Sequence, residues 1–251
     1  MDSKFNIHHI APMNPINILL LDTKEDIFGE HEKEVLKPFL VNSNFKKSRL
    51  NNLSHTMDLL SDPRLSKLKE LFDEAILIYT RDILKLSNVF QMTNSWLTKN
   101  TPGEQHHQHN HPNVMLSITC YFDETFEYPG PFAPLVIETP GLTNTFSTFQ
   151  FQTTPFEYNE INGNEFGVIP NKNQFVIFPA HLYHMTMPNE SDKTRYCLAA
   201  NYFIDGTIQP GNSYSAALKI SMVPNPVDNL KGASLEDKDE DGFVVYDDSP
   251  V

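Results

Sequence analysis

Cysteine is scarce here: two residues, Cys120 and Cys197, in a chain of 251. Both fall in strand-like apolar runs, so free buried thiols in a reducing compartment are the first reading and a disulfide the lesser one. Basic residues are also few. Nineteen Lys and Arg stand against 32 Asp and Glu, for a net charge of −13. Such a chain repels a phosphate backbone, and no basic cluster larger than the pair Lys46-Lys47 offsets this, so no nucleic-acid partner is expected. No run approaches the ~18 apolar residues that cross a bilayer. Phe5 to Leu21 is broken by Asn, His and Pro and lacks a basic start, which speaks against a secretory signal. The expectation is a cytoplasmic protein with no membrane partner.

Histidine is concentrated. Four of the ten fall within six residues, in Gly103-Glu-Gln-His106-His107-Gln-His109-Asn-His111-Pro112. The run follows a turn-like Thr101-Pro102-Gly103 and precedes a strand-like segment, Val114 to Phe122. Neutral imidazole is the commonest side-chain ligand of Zn, Fe, Cu and Ni. Residues i and i+2 of a strand share a side, so His109 with His111, or His107 with His109, can face one ion. The bland reading is a solvated polar loop. A third ligand is found best at His184, just past the strand Gln174 to Phe178, with His181 as competitor.

The rest of the chain reads as helices followed by strands. Residues 15–21 suggest a first strand. Lys24 to Leu40 is weakly helical, interrupted by Gly29 and Pro38, and Lys46 to Leu60 reads as Asn-rich loop with a short helix. Asp62-Pro63 opens the best helix, Asp62 as cap and Pro63 at the first position. Leu65, Leu68, Leu71, Phe72, Ala75, Ile76, Tyr79 and Ile83 then recur at helical spacing, a stripe to pack on a sheet. Strands are expected at Val89–Leu97 (with the sole Trp96), Val114–Phe122, Pro134–Glu138, Gln174–Phe178 and Thr194–Phe203, and hairpins within 141–170. Leu116, Ile118, Cys120 and Phe122 share one face, and Ser117, Thr119 and Tyr121 the other. Arg195, Cys197, Ala199, Asn201 and Phe203 share a face of the last strand. Short strands between Gly, Pro and Asn turns imply a β-sandwich or barrel preceded by helices. An arginine at a cavity edge can clamp a carboxylate with two hydrogen bonds.

The acidic segment Glu236–Asp248 holds seven acids and one lysine. Asp237, Asp239, Asp241 and Gly242 approach calcium-loop spacing, but Asp248 stands where Glu is usual. A disordered tail is preferred over a Ca2+ site.

Taken in order, His109-x-His111-Pro112-Asn113, Ser117-x-x-x-Tyr121, Phe178-Pro-x-x-x-x-His184 and Arg195…Asn201-Tyr202-Phe203 resemble the iron(II)/2-oxoglutarate-dependent dioxygenases. The similarity covers about residues 89–205. It is strongest to an uncharacterised branch opening on His-x-His-Pro-Asn, and the closing run is similar to that of prolyl hydroxylases. The resemblance implies an α+β, mainly β fold: a double-stranded β-helix (jelly roll, cupin-like) with N-terminal helices packed on it. It divides the chain into supporting elements (1–88), dioxygenase core (89–225) and acidic tail (226–251). It implies Fe(II) on His109, His111 and His184, 2-oxoglutarate held by Arg195 and Tyr121 with Asn201 lining the same cavity, and no catalytic residue beyond the metal ligands. The activity implied is hydroxylation of a small-molecule or peptide substrate, peptidyl or free proline foremost, with release of succinate and CO2. His111 stands where the family norm is a carboxylate, which leaves the iron one unit more positive, and Glu104 is the carboxylate that could replace it. A three-histidine cupin-like dioxygenase without 2-oxoglutarate, and a non-catalytic metal-stabilised module, are the other readings.

Overall fold

The computed structural model describes residues 17–127, 133–138, 145–146, 151–152, 165–208 and 218–220. In chain order the strands and α-helices are β1 (Leu19–Asp22), α1 (Glu30–Leu36), β2 (Phe45–Ser48), β3 (Asn51–Ser54), α2 (Ser66–Leu77), β4 (Val89–Asn100), β5 (His106–His109), β6 (Leu116–Phe122), β7 (Leu135–Glu138), β8 (Thr145–Phe146), β9 (Phe151–Gln152), β10 (Glu165–Val168), β11 (Gln174–Pro179), β12 (His184–Thr186), β13 (Arg195–Ile208) and β14 (Leu218–Ile220). The chain divides into two units, Met1–Ile204 and Asp205–Val251. In the second, the end of β13 pairs antiparallel with β14, Gly206 opposite Ile220.

The first unit is built on two sheets. The larger runs β1-β11-β6-β13-β4-β3-β2 and the smaller β10-β7-β12-β5. This is the double-stranded β-helix expected, with helices against the larger sheet. The strand alternation read from sequence holds: Leu116, Ile118, Cys120 and Phe122 of β6, with Tyr196, Leu198, Ala200 and Tyr202 of β13, join one core with Leu68, Phe72, Ala75 and Ile76 of α2. Phe72 meets Phe175 edge to face at 4.8 Å, and the Tyr202 hydroxyl donates to Asp73 at 2.7 Å. On the opposite face Trp96, Tyr121, Cys197 and Ala199 form a small separate cluster. Both cysteines are free and buried.

Asp62 opens the helical segment as expected. Its carboxylate accepts from Arg64 N–H at 2.9 Å, at a 3-10 turn that begins with Pro63 and leads into α2. The apolar stripe then ends early. From Ile78 the helix widens to π geometry, which rotates later residues, and Ile83 lies 44% exposed rather than buried. Within Lys46–Leu60, a loop was expected where β2 and β3 form a hairpin. These Asn-rich strands carry little propensity of their own; pairing of β3 with β4, Leu53 opposite Thr98, organises them. β4 runs three residues past the expected Leu97. Pro15, Ile16 and the acidic segment with Asp237, Asp239 and Asp241 lie outside the described residues. No helix among those described is long and apolar enough to cross a membrane.

Candidate metal centre and its cavity

The chain passes from the larger sheet to the smaller through Thr101–Glu104. Pro102 sets the first central φ of this turn, Gly103 takes the positive φ of +83° at the next position, and Glu104 N–H closes it on Thr101 at 2.9 Å. β5 follows and pairs with β12, His109 opposite His184 but His106 opposite Thr186. Three residues of β5 thus face two of β12, a bulge that breaks the two-residue alternation. His106 turns into the cavity, and its ring stacks on His109 at 4.2 Å. Past His109 the chain is sewn down by His111 N–H to Ala180 O at 2.9 Å.

His109, His111 and His184 converge, with ligand nitrogens all within 4.8 Å of one another. Each Nδ1 is already engaged. That of His109 donates to His107 O at 2.8 Å, and that of His184 to Leu182 O at 3.0 Å. That of His111 donates toward Asn201 Oδ1 and Ser117 Oγ, both at 2.8 Å. With the proton fixed on Nδ1, every Nε2 presents a lone pair, the form a metal takes. The His109 and His111 Nε2 atoms stand 3.1 Å apart. Two lone pairs at that distance repel unless a cation or proton stands between them. Burial, and then the neighbouring histidines, push His184 down to about 3. Burial foremost pushes His109 to about 4 and lowers His111 as well. A proton is therefore disfavoured, and the donor set fits a divalent metal. Trp96 packs edge-on against His111 at 5.4 Å, and Phe178 against His184 at 4.8 Å.

Two alternatives read in the sequence are not brought to the cluster. His181 is exposed and is not among the clustered histidines. Glu104 is held by Lys47, by Asn52 Nδ2 at 2.8 Å and by Thr101 N–H at 2.9 Å. Burial alone would raise its pKa, but the hydrogen bonds from Lys47 and Thr101 and the Lys47 charge lower it, so it serves as a fixed anchor of the turn.

One cavity of about 30 Å³, open to solvent, is lined by the three histidines together with Trp96, Asn100, Tyr121 and Arg195. Arg195 is 1% exposed. Its guanidinium donates to Thr186 Oγ1 at 2.6 Å and Ala133 O at 3.2 Å, and lies 5.8 Å over the Tyr121 ring. Burial raises the Tyr121 hydroxyl far above its ordinary range, which keeps it a proton donor. Asn201 faces the same side but reaches His111 rather than the open cavity. Thr186, which fixes Arg195, was missed from sequence although it stands two residues beyond His184 and so on its side of β12. Ser117 stands in the Ser117-x-x-x-Tyr121 run, but its contact with His111 is not visible in the sequence. His106 could not have been found, because a bulge leaves no mark in the alternation.

Residues 94–201 match the family model described as putative 2OG-Fe(II) oxygenase. No curated protein matches in sequence. The fold is similar to that of a 2OG-Fe(II) oxygenase family oxidoreductase from Burkholderia pseudomallei, with 10% identity over 74% of this chain and 84% of that one and a TM-score of 0.51. It is also similar to a prolyl hydroxylase from Trichoplax adhaerens solved with a hypoxia inducible factor peptide fragment, with 11% identity over 76% and 84% and a TM-score of 0.50. The fold shared with these structures is a double-stranded β-helix, and in this chain three histidines that could hold a metal ion cluster in its cavity. The sequence likeness to the 2OG-Fe(II) oxygenases covers residues 94–201, less than half of the chain, and the fold is similar to that of solved members of that family.

Proposed function

We propose that this protein hydroxylates a small-molecule or peptide substrate, with His109, His111 and His184 holding Fe(II), and Arg195 and Tyr121 holding 2-oxoglutarate. The observation that carries the reading is three histidines whose ligand nitrogens lie within 4.8 Å of one another, with every Nδ1 already donating. Iron with 2-oxoglutarate supplies oxygen activation: one oxygen atom enters the substrate C–H bond, the other enters succinate, and CO2 leaves.

The protein's own residues do the positioning. Asn201 and Ser117 fix the His111 ring, Leu182 O and His107 O fix the other two, and Trp96 and Phe178 wall the site against water. Arg195, its plane set by Thr186, meets the far carboxylate of the cosubstrate, with the Tyr121 hydroxyl as second donor. Asn201 is thus assigned to orienting a ligand rather than to binding the cosubstrate. Three neutral ligands leave the metal one charge more positive than two histidines and a carboxylate would, which favours a dianionic partner. We place the oxygenase core at 89–225, with 1–88 as support and 226–251 as acidic tail; the family match falls inside that core.

An amino-acid substrate, peptidyl or free, with proline first, is proposed by analogy with the peptide-bound prolyl hydroxylase. The calcium-type spacing at Asp237, Asp239 and Asp241 has no support beyond sequence and does not enter the proposal. The test is anaerobic titration of the Fe(II) protein with 2-oxoglutarate. A visible charge-transfer band, and succinate release once oxygen is admitted, are expected. Oxygen uptake without 2-oxoglutarate would instead favour a cupin-like three-histidine dioxygenase, and metal binding with neither would leave a structural module.

A further inference from the structure

The cavity has a second polar element besides the histidines. Asn100 ends β4, lines the cavity and is 2% exposed. Its Nδ2, with two N–H donors, has no hydrogen-bond partner among the described residues. Leaving a buried amide without an acceptor is destabilising, so such a group is retained where something else supplies the acceptor. The register of β3 on β4, Leu53 opposite Thr98 and Asn52 opposite Lys99, continues to set Asn51 across from Asn100. Asn51 is fully buried, and neither of its amide atoms has a partner among the described residues. Two underused amides thus adjoin on one face.

The position of Asn100 is tied to that of Arg195. β4 is the neighbour of β13 in the larger sheet. The Asn189 side chain donates to Asn100 O at 3.0 Å and to Lys193 O at 2.8 Å, binding the end of β4 to the entry of β13. Trp96, four residues and ~13 Å earlier on β4, packs on His111. The strand therefore runs from the metal cluster at Trp96 to the arginine end at Asn100.

We propose that the Asn100 side-chain amide is a specificity-determining binding group, donating to the distal carboxylate of the cosubstrate beside Arg195. It selects a 2-oxo acid that carries a second carboxylate over one that does not. The assignment rests on the reading of Arg195 given above. A carboxylate there supplies the acceptor that Nδ2 lacks, and a planar amide adds direction to the guanidinium's charge.

The test uses the full chain loaded anaerobically with Fe(II), titrated with 2-oxoglutarate and with 2-oxobutyrate, which lacks the distal carboxylate. Calorimetry and the fluorescence of Trp96, the only tryptophan, report binding without turnover. Asn100→Ala should weaken 2-oxoglutarate about tenfold or more, the effect of one hydrogen bond to a charged group. 2-Oxobutyrate and Fe(II) should bind as in the parent, so the ratio between the two acids shrinks. Asn100→Asp, nearly isosteric, should weaken 2-oxoglutarate further by setting like charges together. Arg195→Lys is the reference. If it weakens 2-oxoglutarate while both Asn100 variants keep the parent's ratio, the Asn100 assignment is overturned and the cosubstrate reading stands. An equal loss for both acids makes Asn100 structural, and also overturns the assignment. If Arg195→Lys changes nothing, or the parent binds no 2-oxoglutarate, the underlying reading falls.

Discussion

β6 and β13 have two buried faces that differ in kind. Toward α2 they present Leu116, Ile118, Cys120 and Phe122, then Tyr196, Leu198, Ala200 and Tyr202, and all join one apolar cluster. Toward the smaller sheet the same strands present Ser117, Thr119 and Tyr121, then Arg195, Cys197, Ala199 and Asn201, none more than 7% exposed. Water is excluded from both faces, yet only one is filled by hydrocarbon. Burying polar groups is unfavourable unless they are hydrogen-bonded, so a face that buries a guanidinium, an amide and hydroxyls is organised for something other than stability. The helix face holds the sheet and the cavity face holds the chemistry, and substitutions on each should fail in different ways.

The largest separation should come from His184→Ala. On the cavity side it removes a ligand, and stoichiometric Fe(II) binding should be lost in elemental analysis while circular dichroism stays that of the parent. His109→Ala should behave alike, and His106→Ala should keep its iron despite lining the cavity. On the other face, Phe72→Ala should cost about 3–5 kcal/mol in denaturant unfolding, the range for a buried phenylalanine. Iron stoichiometry of its folded fraction should not change. If Phe72→Ala at parental ellipticity, below its unfolding transition, binds less Fe(II) per chain than the parent, the two faces are one cooperative unit and the contrast is wrong.

Arg195→Lys keeps the charge but loses the planar fork. Titration should show 2-oxoglutarate weakened by about 1.5–3 kcal/mol, roughly tenfold to a few hundredfold, with Fe(II) affinity unchanged. Asn201→Ala should act on the metal instead. Loss of the partner that holds the His111 Nδ1 proton should lower Fe(II) affinity roughly 10- to 100-fold in competition with a chelator. A variant that binds metal as the parent does would show Ser117 sufficient to orient the ring. Tyr121→Phe should give the smallest effect. It removes one neutral donor, worth about 1 kcal/mol, and should raise the 2-oxoglutarate dissociation constant several-fold. An effect as large as that of Arg195→Lys would mean that the hydroxyl, and not the guanidinium, carries the carboxylate.

Much of this contrast was legible in the chain. Two-residue alternation follows from backbone geometry alone, so the faces of β6 and β13 could be assigned before any pairing was known. The capping of the helical segment by Asp62 is likewise a local matter, decided within two residues. The histidine-rich turn, the later His184 and the buried Arg195 stood out by residue type and spacing. Tertiary structure decided the remainder. The bulge in β5 arises because β12 opposes it with one residue fewer, and this turned His106 inward against the simple parity. The pairing of β3 with β4 made strands of Asn-rich residues whose own propensity pointed to loop, and it set Asn51 across from Asn100. Glu104 is held away from the histidine cluster by Lys47, 57 residues away in sequence, and Asn201 is drawn to His111 across 90. Local order is written in neighbouring residues, whereas which polar group meets which across a sheet depends on register, and register is set only when the strands pair.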